Sequence, residues 1–180
     1  YARRVLRNRR LRRHTTSHPE FYRAVMADDV ARRTAYGAVG TQSPERWKKI
    51  GRKQFRFLRN HGLERHHRML EIGCGNLRAG RHFIRYLDAG QYTGVDISPE
   101  ILLAAQETIV SNELQSKEPR LILVSGTSLE FLPDGAFDVA HAHSVFSHTP
   151  LEVVDAYLAA VHRLLRPGGF FDFTYHHTDQ

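Results

Sequence analysis

A chain of 180 residues, of which 41% are hydrophobic, can bury one sizeable core, which predicts one domain with an extension. The net charge of +7 is unevenly spread: residues 1–68 hold 19 Lys and Arg against 5 Asp and Glu, a net +14, and residues 69–180 hold 7 against 14, a net −7. A single cysteine excludes an internal disulfide framework, and no apolar run approaches the ~18 residues of a membrane span, so we expect a cytoplasmic protein.

The first 43 residues are predicted to form a basic extension, and residues 44–180 the main domain. Seven arginines lie within residues 1–13, and the segment up to residue 39 is weakly periodic, which favours helices separated by loops. Glycines in the stretch 37–44 (GAVGTQSP) predict a mobile connector between the extension and the domain.

Helices and strands alternate in the rest of the chain. The sequence Ser-Pro-Glu at residues 43–45 predicts the start of a helix that runs to about residue 61. Five apolar stretches predict strands, at residues 69–72, 92–95, 121–124, 137–142 and 170–175. The last helix is expected to begin with a capping box, Thr149 with Glu152. Helices between strands imply parallel βαβ units, so we predict an α/β fold, a three-layer αβα sandwich around a Rossmann-like, mostly parallel sheet.

The sharpest pattern is the turn after the first strand, at residues 71–75 (EIGCG). Its two glycines allow the backbone to turn tightly and to approach a ligand that a Cβ would block. Asp96 lies 21 positions after the second glycine, where a carboxylate can reach ribose hydroxyls. Arg78 stands where a dinucleotide fingerprint needs glycine, which disfavours NAD and FAD. Glu71 would repel a pyrophosphate, but it can hold the ammonium group of an amino acid.

Four stretches of the chain resemble the motifs of the class I S-adenosylmethionine (SAM)-dependent methyltransferases. They are residues 70–75 (LEIGCG) for the first motif, 92–98 (YTGVDIS) for the acidic second strand, 132–139 (LPDGAFDV) for the entry to the fourth strand and 164–169 (LLRPGG) for the turn before the fifth. The resemblance covers residues 47–175 and implies an enzyme that uses SAM. Members of the family add two strands after the fifth, so we expect the C-terminal part of their fold to be missing from this chain.

The resemblance implies cofactor contacts for the residues that match its motifs. It implies that Asp96 binds the ribose hydroxyls and that Ile97 packs on the adenine. The other implied contacts are Glu71, Gly73, Cys74 and Gly75 at the methionine part of SAM and Gly126, Thr127 and Ser128 at the adenine edge. Thr127 departs from the family, which often has an acid there. Leu77 also departs, because many members carry a further glycine, and Gly80 is expected to give the close packing instead.

Three histidines, His141, His143 and His148, follow one another where this fold opens its pocket. A hydroxyl acceptor benefits from a base as its proton leaves, and histidine suits neutral pH. His148 and His143 are therefore the candidate catalytic residues, and the alternative is that both are structural. We expect no metal site, because the cluster lacks a set of carboxylate ligands.

The basic extension is predicted to be a lid, because segments before the first motif usually cover the acceptor in the resembling family. Arg52, on the helix that starts after Ser43, is then a candidate contact for the SAM carboxylate or the substrate, and Gln54 is a second. A solvated charged segment and a nucleic-acid arm are the alternatives. The latter is disfavoured because the aromatic residues are not interleaved as a stacking platform. A basic lid also permits peripheral contact with a membrane surface.

The predicted function is in-line methyl transfer to an oxygen of a small molecule, such as a sugar, a lipid or a secondary metabolite. One alternative is an RNA or protein methyltransferase, which usually shows an Asn/Asp-Pro-Pro-Tyr motif where this chain has residues 143–146 (HSVF). The other is a module that binds SAM or S-adenosylhomocysteine (SAH) without catalysis.

Overall fold

A five-stranded parallel sheet organises the chain in the computed structural model, which describes residues 2–39 and 43–175. The strands are β1 (Met69–Ile72), β2 (Tyr92–Asp96), β3 (Arg120–Leu123), β4 (Phe137–Ala142) and β5 (Leu165–Phe173). The helices are α1 (Ala2–Arg12), α2 (His18–Ala38), α3 (Pro44–Asn60), α4 (Gly80–Tyr86), α5 (Pro99–Ser111) and α6 (Leu151–Leu164). The strand order β3-β2-β1-β4-β5 reverses direction beside β1 and confirms the predicted Rossmann-like sheet.

Alternate residues of the strands face two separate apolar cores. Met69 and Tyr92 pack in one core with Leu58 of α3, Phe83 of α4 and Ile109 of α5. The other face packs against α6, through residues such as Leu70, Val95 and Val161. Helices therefore cover both faces of the sheet, which confirms the three-layer sandwich.

Serine caps begin two of the helices, and the first of them is predicted from the sequence. The hydroxyl oxygen of Ser43 accepts a hydrogen bond from the backbone N–H of Arg46, 3.2 Å away, and Ser98 accepts one from Ile101 at 3.3 Å. Each cap is followed by proline at the first helical position, where no N–H is needed.

Two local predictions near the C-terminus are wrong. The capping box of α6 does not form, because the Thr149 hydroxyl donates to the carbonyl of Val145 at 2.8 Å and Pro150 takes the cap position. β5 begins at residue 165 rather than 170, since Leu165 already pairs with Phe137. A register shift follows before Phe170 pairs with Val139, so the Pro-Gly-Gly turn is a bulge within the strand.

The extension packs against the domain. α2 kinks at Thr34, whose φ is 74° and ψ 161°, and a second helical stretch ends at Ala38, so part of the predicted connector is helical. Residues 40–42 of that connector lie outside the described residues. Arg7 of α1 forms ion pairs with Asp28 and Asp29 of α2. Arg23 of α2 donates to the carbonyl of Ile97 at 2.9 Å and to that of Val124 at 3.2 Å. In the part of the chain that the structure describes, no helix is long and apolar enough to span a membrane.

Candidate active site

A cavity of about 540 Å³ lies at the carboxyl ends of the strands and beneath α2. Its floor includes Ile72 at the end of β1, Asp96 at the end of β2 and His143 after β4. Tyr22 and Met26 of α2 line its roof. This is the position where open α/β sheets bind their ligands, at the point where the strand order reverses.

The turn after β1 has the backbone conformation that the two glycines predict. Gly73 and Gly75 have φ values of 63° and 58°, in the left-handed region. A Cβ on Gly73 would lie 2.6 Å from Cγ2 of Val145, so a side chain there would require Val145 to move. Leu77 also has a positive φ, 62°, although its side chain is buried. Glycine adopts this backbone conformation more readily than leucine does.

Two carboxylates line the cavity on either side of this turn. The buried Glu71 accepts a 2.5 Å hydrogen bond from the phenol of Tyr92, and Asp96 accepts from the backbone N–H groups of Gly75, at 2.9 Å, and Ser98, at 3.0 Å. Burial raises the pKa of Glu71, an effect that the charge of His141 and the Tyr92 hydrogen bond oppose. Burial also raises the pKa of Asp96, against the effect of its backbone hydrogen bonds.

Two buried donors in the cavity wall have no hydrogen-bond partner among the described residues. They are Nε2 of Gln54, on α3, and Nε of Arg78, which follows the glycine turn. The Gln54 side chain is only 8% exposed. A buried donor without a partner costs about 1–3 kcal/mol. The wall is therefore suited to an anionic group of a ligand, such as a carboxylate.

Several of the predicted cofactor contacts lie together at the cavity. Glu71, Gly73, Cys74, Asp96 and Ile97 all line it. Gly75 contributes through its backbone N–H, which holds Asp96. Cys74 is buried, and burial raises the pKa of its thiol well above the ordinary value. The thiol is therefore protonated at neutral pH and serves as an apolar wall.

The cavity wall does not include Arg52 or the three residues predicted at the adenine edge. Arg52 is exposed and does not line the cavity. Gln54 faces the cavity, and residues two apart are rotated by about 200° about the helix axis, so Arg52 points to the opposite side of α3. Gly126, Thr127 and Ser128 also do not line the cavity; Val124 does so instead. The N–H of Val124 donates to the carbonyl of Asp96 at 3.0 Å, which holds this residue at the rim.

The three histidines have different positions. His143 lines the cavity, its Nδ1 lies 3.0 Å from the Ser144 hydroxyl, and burial lowers its pKa to about 4. His141 of β4 is 2% exposed and is buried on one face of the sheet. Its Nδ1 lies 2.8 Å from a carboxylate oxygen of Asp172. The backbone of His148 ends a short turn at Phe146–His148, but its side chain lies outside those that the structure describes.

Residues that the sequence did not single out also line the cavity. Tyr157 of α6 does so, and burial raises the pKa of its phenol to about 12. His18 and Tyr22, one helical turn apart on α2, stack with ring centroids 6.3 Å apart at the roof. Their spacing of four residues is the signal that could have indicated a shared face. That this face covers the cavity depends on how α2 packs against the sheet, which the local sequence does not show.

One group of possible metal ligands lies outside this site. Glu64, His66 and His67 present ligand atoms within 4.8 Å of one another, on the loop before β1. Glu64 and His66 are exposed, and none of the three lines the cavity. This loop therefore takes no part in the chemistry considered for the cavity.

Comparison with known proteins finds a family described as "Methyltransferase domain", which matches residues 70–171, more than half of the chain. An uncharacterized methyltransferase of Schizosaccharomyces pombe is 34% identical over 107 residues, which are 57% of this chain and 37% of that protein. The chain thus spans little more than a third of the length of the curated relatives it matches.

Solved structures share the fold at low sequence identity. Magnesium protoporphyrin IX methyltransferase of Synechocystis PCC 6803, with bound SAM, gives a TM-score of 0.64 at 19% identity, over 84% of this chain and 73% of that chain. Phosphoethanolamine N-methyltransferase 1 of Haemonchus contortus, in complex with phosphoethanolamine and SAH, gives 0.72 at 12% identity, over 88% of this chain and 32% of that chain. Identities this low show a common fold and no common acceptor.

Proposed function

This chain belongs to the class I SAM-dependent methyltransferase family, and on that premise we propose that it binds SAM beneath α2 and methylates a small molecule. The observation that carries the proposal is the pair of carboxylates, Glu71 and Asp96, on either side of the Gly73 turn in one cavity. When bound, SAM supplies a methyl group that its sulfonium already activates. The protein must then supply binding, alignment and exclusion of water.

The polar groups of the cavity fit the parts of SAM. Glu71 is suited to the ammonium group, and the unpaired donors of Gln54 and Arg78 are suited to the carboxylate. Asp96, fixed by two backbone N–H groups, is suited to the ribose hydroxyls. Ile97 offers an apolar surface to the adenine.

The size of the cavity supports a small acceptor. Its volume of about 540 Å³ lies within the roughly 300–1,000 Å³ typical of small-molecule sites, and cofactor and acceptor must share it. We further propose that residues 1–43 act as a lid, since α2 lies over the cavity and Arg23 fastens it to the rim. RNA or a folded protein would require this roof to open, which makes a macromolecular acceptor the weaker alternative.

A hydroxyl oxygen is the proposed methyl acceptor, and His143, which lines the cavity, is the proposed base. With a pKa of about 4 its imidazole is neutral at neutral pH. In the tautomer whose Nδ1–H donates to the Ser144 hydroxyl, 3.0 Å away, Nε2 is the nitrogen that accepts the proton of the acceptor. A base whose pKa lies this far below the operating pH accelerates proton transfer only modestly, so alignment must provide most of the rate. His148 stays a predicted base, and a cytoplasmic location stays a prediction.

Calorimetry with SAM and SAH on the intact chain tests the cofactor site. We expect both to bind, and Asp96→Asn to weaken binding about ten- to hundredfold, because each hydrogen bond to a charged group is worth roughly 1.5–3 kcal/mol. Asp88→Asn, at an exposed acid that pairs with Arg65, is the matched control and should bind like the parent. Folded protein that binds neither ligand would overturn the proposal.

The acceptor class is tested with methyl-labelled SAM. Label in hydroxyl-bearing small molecules supports the proposal, whereas label confined to RNA or protein fractions assigns the macromolecular alternative. Binding without transfer to any acceptor favours a non-catalytic module.

A further inference from the structure

Three side chains form an acid–imidazole–acid row across three neighbouring strands. Glu71 of β1 is in register with His141 of β4, and His141 is in register with Asp172 of β5. Residues in register on parallel strands lie side by side on the same face, with strands about 4.8 Å apart. The row therefore runs from the cavity, at Glu71, toward the edge strand of the sheet, at Asp172.

His141 is the buried centre of this row. Its Nδ1 lies 2.8 Å from Asp172, and the edge of the Phe83 ring packs against it with centroids 5.4 Å apart. Its Nε2 is buried and has no hydrogen-bond partner among the described residues. Packing alone does not account for a polar ring there, because an apolar side chain would fill the space without an unpaired nitrogen. His141 does not line the cavity, so it has no direct part in the chemistry proposed above.

Charge explains the arrangement. In its protonated form the imidazole places one positive charge between two carboxylates, and this balances part of the negative charge buried in the row. A buried carboxylate without such a neighbour takes up a proton, and a neutral acid loses the attraction for an ammonium group. Burial raises the pKa of Glu71, and the charge of His141 is the largest effect that opposes the rise.

We propose that His141, fixed by Asp172, is a positioning residue that keeps Glu71 ionised toward the ammonium group of SAM. The inference rests on the proposed SAM site and assigns a role to two residues outside the cavity. Asp172, which does not line the cavity, acts by fixing the orientation of the His141 imidazole.

Other charged groups surround the row and contribute to its behaviour. Glu71 is faced by Tyr92 and Asp96 of β2, by Cys74 and Arg78 of the turn, and by His141 of β4; His141 is faced in turn by Asp172 and His143. Of the cations in this set, Arg78 alone remains near Glu71 when His141 is replaced. The titration of Asp96 is present in parent and variant alike, so it does not account for a difference between the two.

The test is SAH affinity as a function of pH, from about pH 5 to pH 9, for the parent and His141→Gln. Without the imidazole, Glu71 accepts a proton at higher pH, so the acid limb of the affinity profile should move upward. A shift of one pH unit corresponds to about a tenfold loss of affinity on that limb. Asp172→Asn should shift the limb in the same direction by a smaller amount. His162→Gln, at an exposed histidine of α6, is the control.

Identical profiles for the parent and a folded His141→Gln variant would overturn the inference and leave the SAM site intact. Absence of SAH binding by the parent at every pH would instead overturn the proposed function. If His141→Gln does not fold, Asp172→Asn decides the matter, since it preserves the shape of the row. In the Glu71→Gln background, adding His141→Gln should not move the acid limb of the affinity profile. A shift that persists in this double variant would count against the inference.

Discussion

The phenol of Tyr92 donates a 2.5 Å hydrogen bond to the buried carboxylate of Glu71, and Gly80 leaves the space that this contact needs. A Cβ on Gly80 would lie 2.6 Å from the Tyr92 oxygen and 2.9 Å from Glu71 Oε2. Gly80→Ala should therefore break the hydrogen bond, lower the free energy of unfolding by about 1–3 kcal/mol and weaken SAM binding. Denaturant unfolding and calorimetry measure the two effects. Gly126→Ala, where a Cβ meets nothing within 4 Å, should leave the free energy of unfolding unchanged.

Glu71 is expected to lower the stability of the ligand-free protein at neutral pH and to strengthen SAM binding. Its pKa is raised in the folded chain, so the folded state holds this proton more tightly than the unfolded state does. Its stabilising contribution is therefore present below the ordinary pKa and is lost as pH rises through the raised value. Glu71→Gln should raise the Tm of the ligand-free protein at neutral pH, by more than at acid pH, and should weaken SAM binding. An equal Tm change at both pH values would contradict this.

The pH profile of turnover can identify the base. If His143 is the base, the acid limb of kcat/KM should lie near pH 4, because burial lowers its pKa from 6.5 to about 4. An acid limb that persists in His143→Gln and disappears in His148→Gln would assign the base to His148 instead.

The same depressed pKa predicts an effect on folding. Between pH 4 and 6.5 the unfolded chain binds a proton at His143 that the folded chain does not. Stability should therefore rise with pH across this window, and His143→Gln should flatten that rise. Thermal unfolding at several pH values, with His162→Gln as control, measures the difference.

Arg23 is expected to set how fast the ligand leaves. It fastens α2 to two carbonyls at the cavity rim, so Arg23→Gln should increase the dissociation rate of SAH about tenfold, with two hydrogen bonds of about 0.5–1.5 kcal/mol each removed. Stopped-flow displacement measures this rate. Arg33→Gln, at an exposed arginine on the same helix, should release SAH like the parent.

Gln54 and Arg52 provide a matched pair for the ligand's carboxylate. Gln54→Glu keeps the shape of the side chain but adds a negative charge beside the proposed carboxylate, so SAM affinity should fall at least tenfold. Arg52→Gln changes an exposed side chain and should leave affinity unchanged. Calorimetry at neutral pH measures both. A larger loss of SAM affinity from Arg52→Gln than from Gln54→Glu would support the contact that the sequence predicts for Arg52.

Local signals in the sequence were sufficient for much of the fold. The caps at Ser43 and Ser98 act within one helical turn, and β1 and β4 match their predicted bounds because their apolar runs are short and sharply ended. Glu71, Gly73 and Asp96 could be placed beside one cavity for the same reason, since a strand, its turn and the next strand position them.

Predictions that depended on tertiary contacts were less accurate. Both Arg52 and Gln54 are polar residues on α3, and only the docking of that helix decides which of them faces the cavity. The start of β5 depends on its pairing with Phe137, a residue nearly thirty positions earlier in the sequence. His141 was considered as a member of a histidine cluster, but its partner Asp172 lies on another strand.

The contacts of Arg23 have a consequence for biosynthesis. The two carbonyls it binds lie 74 and 101 residues further along the chain, so α2 has no surface to dock on until β3 has left the ribosome. The part of this sequence that is translated first is thus among the last to find its place. During that interval Phe21, Val25 and Met26, which are buried in the finished molecule, are exposed on the nascent chain, where a chaperone can recognise them.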